Sequence, residues 1–156
     1  MPVCHVAIVS RACLANILAG RKTIESRLSL SRVAPYGQIT AGDTIYFKAS
    51  GGAFGAKAVA DGVTTITGLR PAAVRHLRRT YEHAILGGTA YWKSKSRAKF
   101  ATLIHLANIT PVSDGPRYRP AGARPSRAAW FVLGQRPANH HLTTIFPNCS
   151  PASRRS

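Results

Sequence analysis

One carboxylate stands between two cations near the start of the chain, in the segment GRKTIESR at residues 20–27. Glu25 follows Lys22 by three positions and precedes Arg27 by two. A charged lysine can stabilise an oxyanion, and a carboxylate can orient water or carry a proton, so Lys22 and Glu25 are candidate catalytic residues. The same spacing also suits an ion pair on a strand, in which the cations keep the carboxylate charged. The spacing alone leaves both interpretations open.

The elements around this segment bring its charged side chains together. The stretch alternates as a β-strand does, with Ile24 and Leu28 on one face and Glu25 and Arg27 on the other. Apolar residues before it recur at helical spacing, and Gly20 suits the left-handed position that ends a helix. A short helix followed by a strand is therefore predicted, with a lysine at the junction.

A lysine followed by a glycine-rich turn forms a second group of candidate ligand-binding residues. Glycines allow a ligand to approach the backbone closely, and a lysine can meet a phosphate. An ordinary hairpin explains the same residues equally well. The candidates in this group are Lys48, Ser50, Gly51 and Gly52.

Two aromatic side chains lie beside three cations in the segment YWKSKSR at residues 91–97. Such a mixture provides the stacking surface and the charge that bind single-stranded nucleic acid. The candidates here are Trp92, Lys93 and Lys95, although Trp92 also suits a place at the closed end of a barrel. Arg127, just before the apolar segment AAWFVL, is a further candidate to face the same ligand.

The charge balance points to a polyanionic partner. The 156 residues include 22 Lys and Arg against 5 Asp and Glu, a formal net charge of +17, which attracts any polyanion and favours nucleic acid. The three cysteines lack CxxC spacing, and the six histidines lack metal-ligand spacing, so we expect no metal and no cofactor. His105, on an apolar strand, is expected in the core. No signal segment or membrane span is evident, and a cytoplasmic location is expected.

The order of the predicted elements favours an α+β fold. About six short strands and two flanking helices do not alternate regularly, which indicates a mixed or antiparallel sheet that closes into a small β-barrel. One helix follows the first strand, and the other lies in RPAAVRHLRRTYEHAILGG and ends at a glycine pair. Residues 1–138 are expected to form one domain, and residues 139–156 a basic, loosely ordered C-terminal tail.

Four segments in order resemble the ASCH family of the PUA-like superfamily: GRKTIESR, PYGQITAGDTIYFKASGG, YWKSKSRAKFATLIHL and AAWFVL. The most specific element is the G-x-K-x-x-E-x-R pattern at residues 20–27, supported by a Gly-Asp pair at 42–43. The resemblance runs from about residue 5 to residue 133. It implies a PUA-like barrel whose cleft is lined by Lys22, Glu25 and Arg27.

The resemblance also implies that the partner is RNA or a modified nucleoside. On this interpretation Glu25 accepts a hydrogen bond from the exocyclic amine of a base, and Arg27 holds a phosphate or carbonyl oxygen. A hydrolase using the same cleft is the alternative, either an amidohydrolase of the acetylcytidine type or a metal-independent ribonuclease. A small regulatory module that binds a protein partner is a third interpretation.

The chain departs from the amidohydrolase pattern at one position. Members of that type carry a threonine nucleophile three residues after the lysine, where this chain has Glu25. Thr23 is one residue after the lysine and does not correspond to it. The threonine mechanism therefore cannot be transferred, and binding is favoured over hydrolysis.

Overall fold

The computed structural model describes residues 2–119 and 127–134, which form six strands and three helices. In chain order they are β1 (Cys4–Val9), α1 (Arg11–Leu18), β2 (Ile24–Ser29), β3 (Thr44–Ala49), β4 (Phe54–Thr67), α2 (Pro71–Ile85), α3 (Gly88–Ser94), β5 (Phe100–Pro111) and β6 (Trp130–Leu133). The α+β class and the six strands are confirmed. The third helix was not predicted, and residues 139–156, expected as a tail, lie outside the described residues.

The strands form one mixed sheet in the order β2-β5-β4-β3-β1-β6. Only the β1–β3 pair is parallel among the pairs that the structure describes. Strand β4 is 14 residues long, and its first half pairs with β3 while most of its length pairs with β5. Its ladder with β5 is interrupted near Lys57 and again near Ala60. Such irregularities bend a sheet, and here they accompany its curvature into a half-barrel.

The two faces of the sheet carry separate apolar cores. The concave side holds Ile45, Phe47 and Ile104, all fully buried, together with Ile17 of α1. The convex side packs against α2, whose apolar stripe was predicted and is buried at four positions: Val74, Leu77, Ala84 and Ile85. Strand β2 contributes to this second core from one face only, which leaves its other side chains for the interior of the half-barrel.

Helix α2 ends at Ile85, close to the glycine pair at 87–88 that was predicted to end it. The left-handed residue is Leu86, with φ 54°, and Gly88 already begins α3. Glu82 explains the change of direction, because its carboxylate accepts hydrogen bonds from the Gly88 backbone, at 3.1 Å, and from the indole N–H of Trp92. The segment YWKSKSR therefore begins on a helix.

Two histidines of the sheet differ in burial. His105 is exposed on β5, so its predicted core role was wrong. His5 on β1 is instead fully buried. Among residues 2–119 and 127–134, no helix is long and apolar enough to cross a membrane.

Candidate functional site

A cleft of about 380 Å³ opens along the edge of β2. Five elements meet there: the end of β1, the first turns of α1, β2 itself, the turn after α2, and α3. The polar side chains that line it are Ser10, Cys13, Asn16, Lys22, Glu25, Ser26, Arg27, Tyr91 and Lys95. The predicted cluster at residues 22–27 therefore lies in one concave site.

Backbone groups of β2 also face this cleft. In the described part of the chain, β2 pairs with β5 alone, and the carbonyls of Thr23 and Ser29 accept from that side at 2.9 Å each. Peptide groups alternate in direction along an antiparallel pair, so those of Ser26 and Leu28 point away from β5. The Tyr91 hydroxyl reaches the Ser26 carbonyl at 3.3 Å, which agrees with this direction. An edge strand thus offers backbone donors to the cleft.

Glu25 forms the electrostatic centre of the cleft. It is only 4% exposed. Its Oε1 accepts a hydrogen bond from Arg27 Nε at 2.8 Å. Its Oε2 lies 3.5 Å from Lys22 Nζ, and it has no hydrogen-bond partner among residues 2–119 and 127–134. A buried acceptor therefore remains open beside two cations.

The position of Lys22 follows from the turn between α1 and β2. The Arg21 and Lys22 amides both donate to the Asn16 carbonyl, at 3.0 and 3.1 Å, and Gly20 supplies the left-handed residue, with φ 73°. The lysine side chain is buried, and its Nζ donates to the Ile85 carbonyl at 2.7 Å. The ammonium thus joins the end of α2 to the carboxylate of Glu25.

Arg27 bridges the two edges of the half-barrel. Besides contacting Glu25, it donates from Nη2 to the Ile8 carbonyl at 3.2 Å and from Nη1 to the Ala129 carbonyl at 3.4 Å. Its guanidinium carbon lies 5.1 Å from the centroid of the Trp130 ring. These contacts connect β2, at one edge of the sheet, with β1 and β6 at the other. We call this arrangement the Arg27 bridge; sequence reasoning assigned Arg27 to the ligand and did not predict it.

A buried polar network holds Trp130, the aromatic partner of the Arg27 bridge, in place. The Trp130 indole N–H donates to His5 Nδ1 at 3.0 Å, and His5 Nε2 lies 2.8 Å from Asp43 Oδ2. An indole N–H only donates, so His5 Nδ1 must accept, and Nε2 carries the proton that is donated to Asp43. His5 was missed as a functional or structural position; the Gly-Asp pair at 42–43 was the only sequence signal for this network.

Three cleft side chains have shifted pKa values. Burial, reinforced by the charge of Glu25, raises the pKa of the Cys13 thiol to about 11. Burial likewise raises the pKa of Tyr91, whose hydroxyl lies 2.7 Å from Ser26 Oγ, to about 12. Burial and then the charge of Arg27 lower the pKa of Lys95. Of the three, only Lys95 was singled out as a candidate from the sequence.

The remaining candidates lie elsewhere. Trp92 is buried between α2 and α3, where its indole bonds Glu82, so its contacts are those of a packing residue. Lys93 is exposed and borders a separate groove beside α2. The turn after β3 does not line the cleft, although its Ser50 amide donates to the Val9 carbonyl at the cleft margin, at 2.8 Å. The candidates outside the cleft are therefore Trp92, Lys93, Lys48, Ser50, Gly51, Gly52 and Arg127, the last of which is exposed.

The titratable groups of the cleft do not form a metal site in the described chain. Among residues 2–119 and 127–134, no group of three or more histidine, cysteine, aspartate or glutamate side chains is placed to hold a metal ion. The chemistry available in the cleft is thus that of an acceptor carboxylate, two cations, an edge of backbone donors and several hydroxyl or thiol groups.

Comparison with known proteins gives the fold. No family model matches the sequence, and no curated protein matches it. The solved structure of the ASCH protein of Zymomonas mobilis matches with a TM-score of 0.55 and 15% identity, covering 69% of this chain and 69% of that one. A single-substitution variant of the same protein matches with a TM-score of 0.56 and 16% identity, covering 69% of this chain and 70% of that one. The chain therefore has an ASCH-like fold, as the motif at residues 20–27 indicated.

Proposed function

We propose that the protein binds RNA or a modified nucleoside, and that a nucleobase enters the cleft along β2. One observation carries the proposal: Glu25 lines a cleft of nucleoside size, and its buried Oε2 atom has no hydrogen-bond partner in the described chain. Leaving a buried acceptor unpaired costs on the order of 1–3 kcal/mol. A ligand that donates to this oxygen recovers that free energy on binding.

The exocyclic amine of a base suits this oxygen. An ionised carboxylate only accepts hydrogen bonds, and the amines of cytosine and adenine are donors on the base edge. Uracil presents a carbonyl at the equivalent position, and that oxygen would face a carboxylate without a proton between them. Glu25 is therefore expected to select amino-bearing bases.

The rest of the cleft suits a nucleoside. Ligand sites in proteins commonly enclose about 300–1,000 Å³, and the cleft, at about 380 Å³, lies at the small end of that range. The edge amides of Ser26 and Leu28 supply further donors, and Lys95 contributes a cation at the rim. The net charge of +17 attracts the polyanion from a distance.

Three cysteines without a pairing pattern suit a reducing compartment, so we place this function in the cytoplasm.

Binding rather than hydrolysis is favoured by the state of the candidate nucleophiles. The pKa values of Cys13, at about 11, and of Tyr91, at about 12, keep both groups protonated at neutral pH. A protonated thiol or phenol is a poor nucleophile. Binding needs neither group to lose its proton.

Calorimetric titration of the protein with cytidine and uridine tests the proposal. We expect cytidine to bind at least about tenfold more tightly than uridine, because a site that hydrogen-bonds a substrate N–H rejects an analogue without it. Glu25→Gln should abolish this preference, since the amide can donate as well as accept. Asp61→Asn is the matched control, because it removes one negative charge from an exposed position outside the cleft.

Equal affinity for the two nucleosides in the wild-type protein would contradict the proposal. Mass spectrometry of acetylcytidine and of total RNA after incubation with the protein tests whether the protein binds these ligands or hydrolyses them. A product that forms with the wild-type protein and not with a folded Lys22→Ala variant would make the protein an enzyme.

A further inference from the structure

A second concavity lies at the other end of β2, beyond the cleft. Its volume is about 760 Å³, and its walls come from the segment after β2, the start of α2 and the segment before β5. We call it the basic groove; its principal lining residues are Leu30, Leu69, Arg70, Pro71, Arg97 and Lys99. The three cations are exposed. None of the five acidic residues of the chain lines it.

The cations of the basic groove are available to a ligand. Among residues 2–119 and 127–134, the side chains of Arg70, Arg97 and Lys99 make no hydrogen bond or ion pair. Arg70 precedes α2 without capping it through its side chain. By contrast, the cleft cations Lys22 and Arg27 both bond to backbone carbonyls. The groove thus carries positive charge that the described part of the protein does not use internally.

A short segment joins the groove to the cleft. Lys95 lines the cleft, while Arg97 and Lys99 line the groove. The segment is anchored by the buried Ala98 side chain and by the Lys99 amide, which donates to the Ser29 carbonyl at 2.9 Å. Lys95 and Lys99 are four residues apart, so an extended chain between them spans at most about 14 Å. The two concavities are therefore neighbours along one edge of the molecule.

We propose that the basic groove holds the phosphodiester backbone of a single RNA strand whose base occupies the cleft. The inference rests on the proposed function and deepens it, because it makes the ligand a strand rather than a free nucleoside. Arginine forks bind phosphate oxygens in pairs, and each neutralised phosphate releases counterions from the strand. Leu30, 69% exposed at the groove, offers an apolar surface beside these cations for a sugar or base.

The test compares two triple variants that lose the same charge. The groove variant carries Arg70→Gln, Arg97→Gln and Lys99→Gln. The control variant carries three substitutions at cationic residues that line neither the cleft nor the groove: Arg75→Gln, Arg79→Gln and Arg117→Gln. All six positions are exposed, so both variants are expected to fold, and circular dichroism checks this. The probes are a ten-nucleotide single-stranded RNA containing cytidine, followed by fluorescence anisotropy, and cytidine alone, followed by calorimetry.

The groove variant should bind the RNA at least about tenfold more weakly than the control variant. Each phosphate contact on a single strand contributes about 0.7 to the slope of log K against log salt, so three lost contacts lower the slope by about 2. Cytidine affinity should be the same in the wild type and both variants, because the nucleoside carries no phosphate.

Three outcomes would overturn the inference. Equal losses in the two variants would mean that the charge acts diffusely over the surface. Full RNA affinity in the groove variant, together with a loss in Glu25→Gln, would leave the proposed function standing and remove the groove from it. Displacement of the RNA by a lower concentration of a poly-glutamate peptide than of unlabelled RNA would assign the groove to an acidic protein partner. Failure of cytidine to bind, by contrast, would contradict the proposed function itself.

Discussion

Two buried carboxylates, Asp43 and Glu25, lie in very different surroundings. Asp43 is fully buried, and both of its oxygens are satisfied: Oδ1 accepts from the Val3 amide at 3.0 Å, and Oδ2 from the Thr40 amide at 3.0 Å and from His5. Glu25 is buried almost as deeply, but only Oε1 is hydrogen-bonded, to Arg27. Their degrees of burial are nearly equal, so the two carboxylates differ in how many of their oxygens accept hydrogen bonds.

In the proposed function, this difference separates a structural acid from one that takes part in binding. The donors of Asp43 come from the start of the chain, the loop before β3 and β1, so the carboxylate holds three segments in place. Glu25 has one oxygen fixed by the Arg27 bridge, and its other oxygen lies 3.5 Å from Lys22 Nζ without a hydrogen bond in the described chain. Buried polar groups are nearly always satisfied in proteins, so this unsatisfied oxygen supports the proposal that a ligand binds beside Glu25.

Replacing each carboxylate by its amide makes the comparison quantitative, and we expect the largest effect at Asp43. Asp43→Asn should lower the free energy of unfolding by about 3–5 kcal/mol, because the amide turns a donor toward groups that are themselves donors. Glu25→Gln should cost less, about 2 kcal/mol, since Oε1 still accepts from Arg27 and only the 3.5 Å ion pair between Oε2 and Lys22 is lost. Urea denaturation followed by tryptophan fluorescence measures both values.

The exposed Asp61→Asn variant provides the baseline for this pair, and surface substitutions of this kind change the free energy of unfolding by less than about 0.5 kcal/mol. Equal losses of unfolding free energy in Asp43→Asn and Glu25→Gln would contradict the comparison. A larger stabilisation of Glu25→Gln by cytidine than by uridine would contradict it as well, because the preference for the amino-bearing base would then not depend on the carboxylate.

The Arg27 bridge should show a smaller and more local effect. Arg27→Lys keeps the charge but loses the planar group that reaches two carbonyls and stacks on Trp130. We expect the free energy needed to separate β1 from the segment before β6 to fall by about 1–2 kcal/mol. Hydrogen exchange of the Ile8 amide, which donates to the Ala129 carbonyl at 2.8 Å, reports this opening.

Amides in β4 serve as the internal control for that experiment, because they exchange within ladders that Arg27 does not contact. Uniform acceleration over the whole chain would show a global loss of stability and would remove the special role of the bridge. Unchanged exchange at Ile8 would show that β1 and β6 need no help from β2.

The hydrophobic pattern predicted helices and strands well where the spacing of neighbouring residues alone determines the element. The alternation around Glu25 and the apolar stripe of α2 depend on period alone, and both are found in the structure. The third helix was missed because Gly87 and Gly88 were interpreted as the end of a helix, whereas the carboxylate of Glu82 supports a new one. That carboxylate lies six residues before the amide it accepts from, beyond the reach of a periodicity argument.

The site was predicted only as far as local spacing reaches. Lys22, Glu25 and Arg27 lie within six residues, so their proximity follows from the strand. The partners of Arg27 lie across the sheet, at residues 8 and 129, and no local pattern reveals that pairing. The same reason explains why Cys13 and Tyr91 were missed, since α1 and α3 meet β2 only after the sheet has formed.

The smallest expected effect concerns Lys95, the cleft cation whose pKa is lowered by burial and by Arg27. A bound phosphate favours the charged amine, so the pKa of Lys95 is higher in the complex than in the free protein. Its contribution to binding is therefore complete below its free-protein pKa, which lies below the ordinary 10.5, and is lost as the pH rises from there through its pKa in the complex. Affinity for cytidine 5′-monophosphate should fall by less than about tenfold between pH 7 and pH 10 from this cause.

Lys95→Arg should flatten that part of the profile, because an arginine stays charged over the whole range. Lys93→Arg, on the exposed side of the same segment, is the matched control and should follow the wild-type profile. If all three proteins lose affinity in parallel as the pH rises, Lys95 does not face the phosphate. A flat affinity profile in Lys95→Arg alone would place the phosphate between Glu25 and the basic groove. The base would then bind at the carboxylate that the protein leaves partly unsatisfied, and the backbone of the ligand would continue from Lys95 toward the groove.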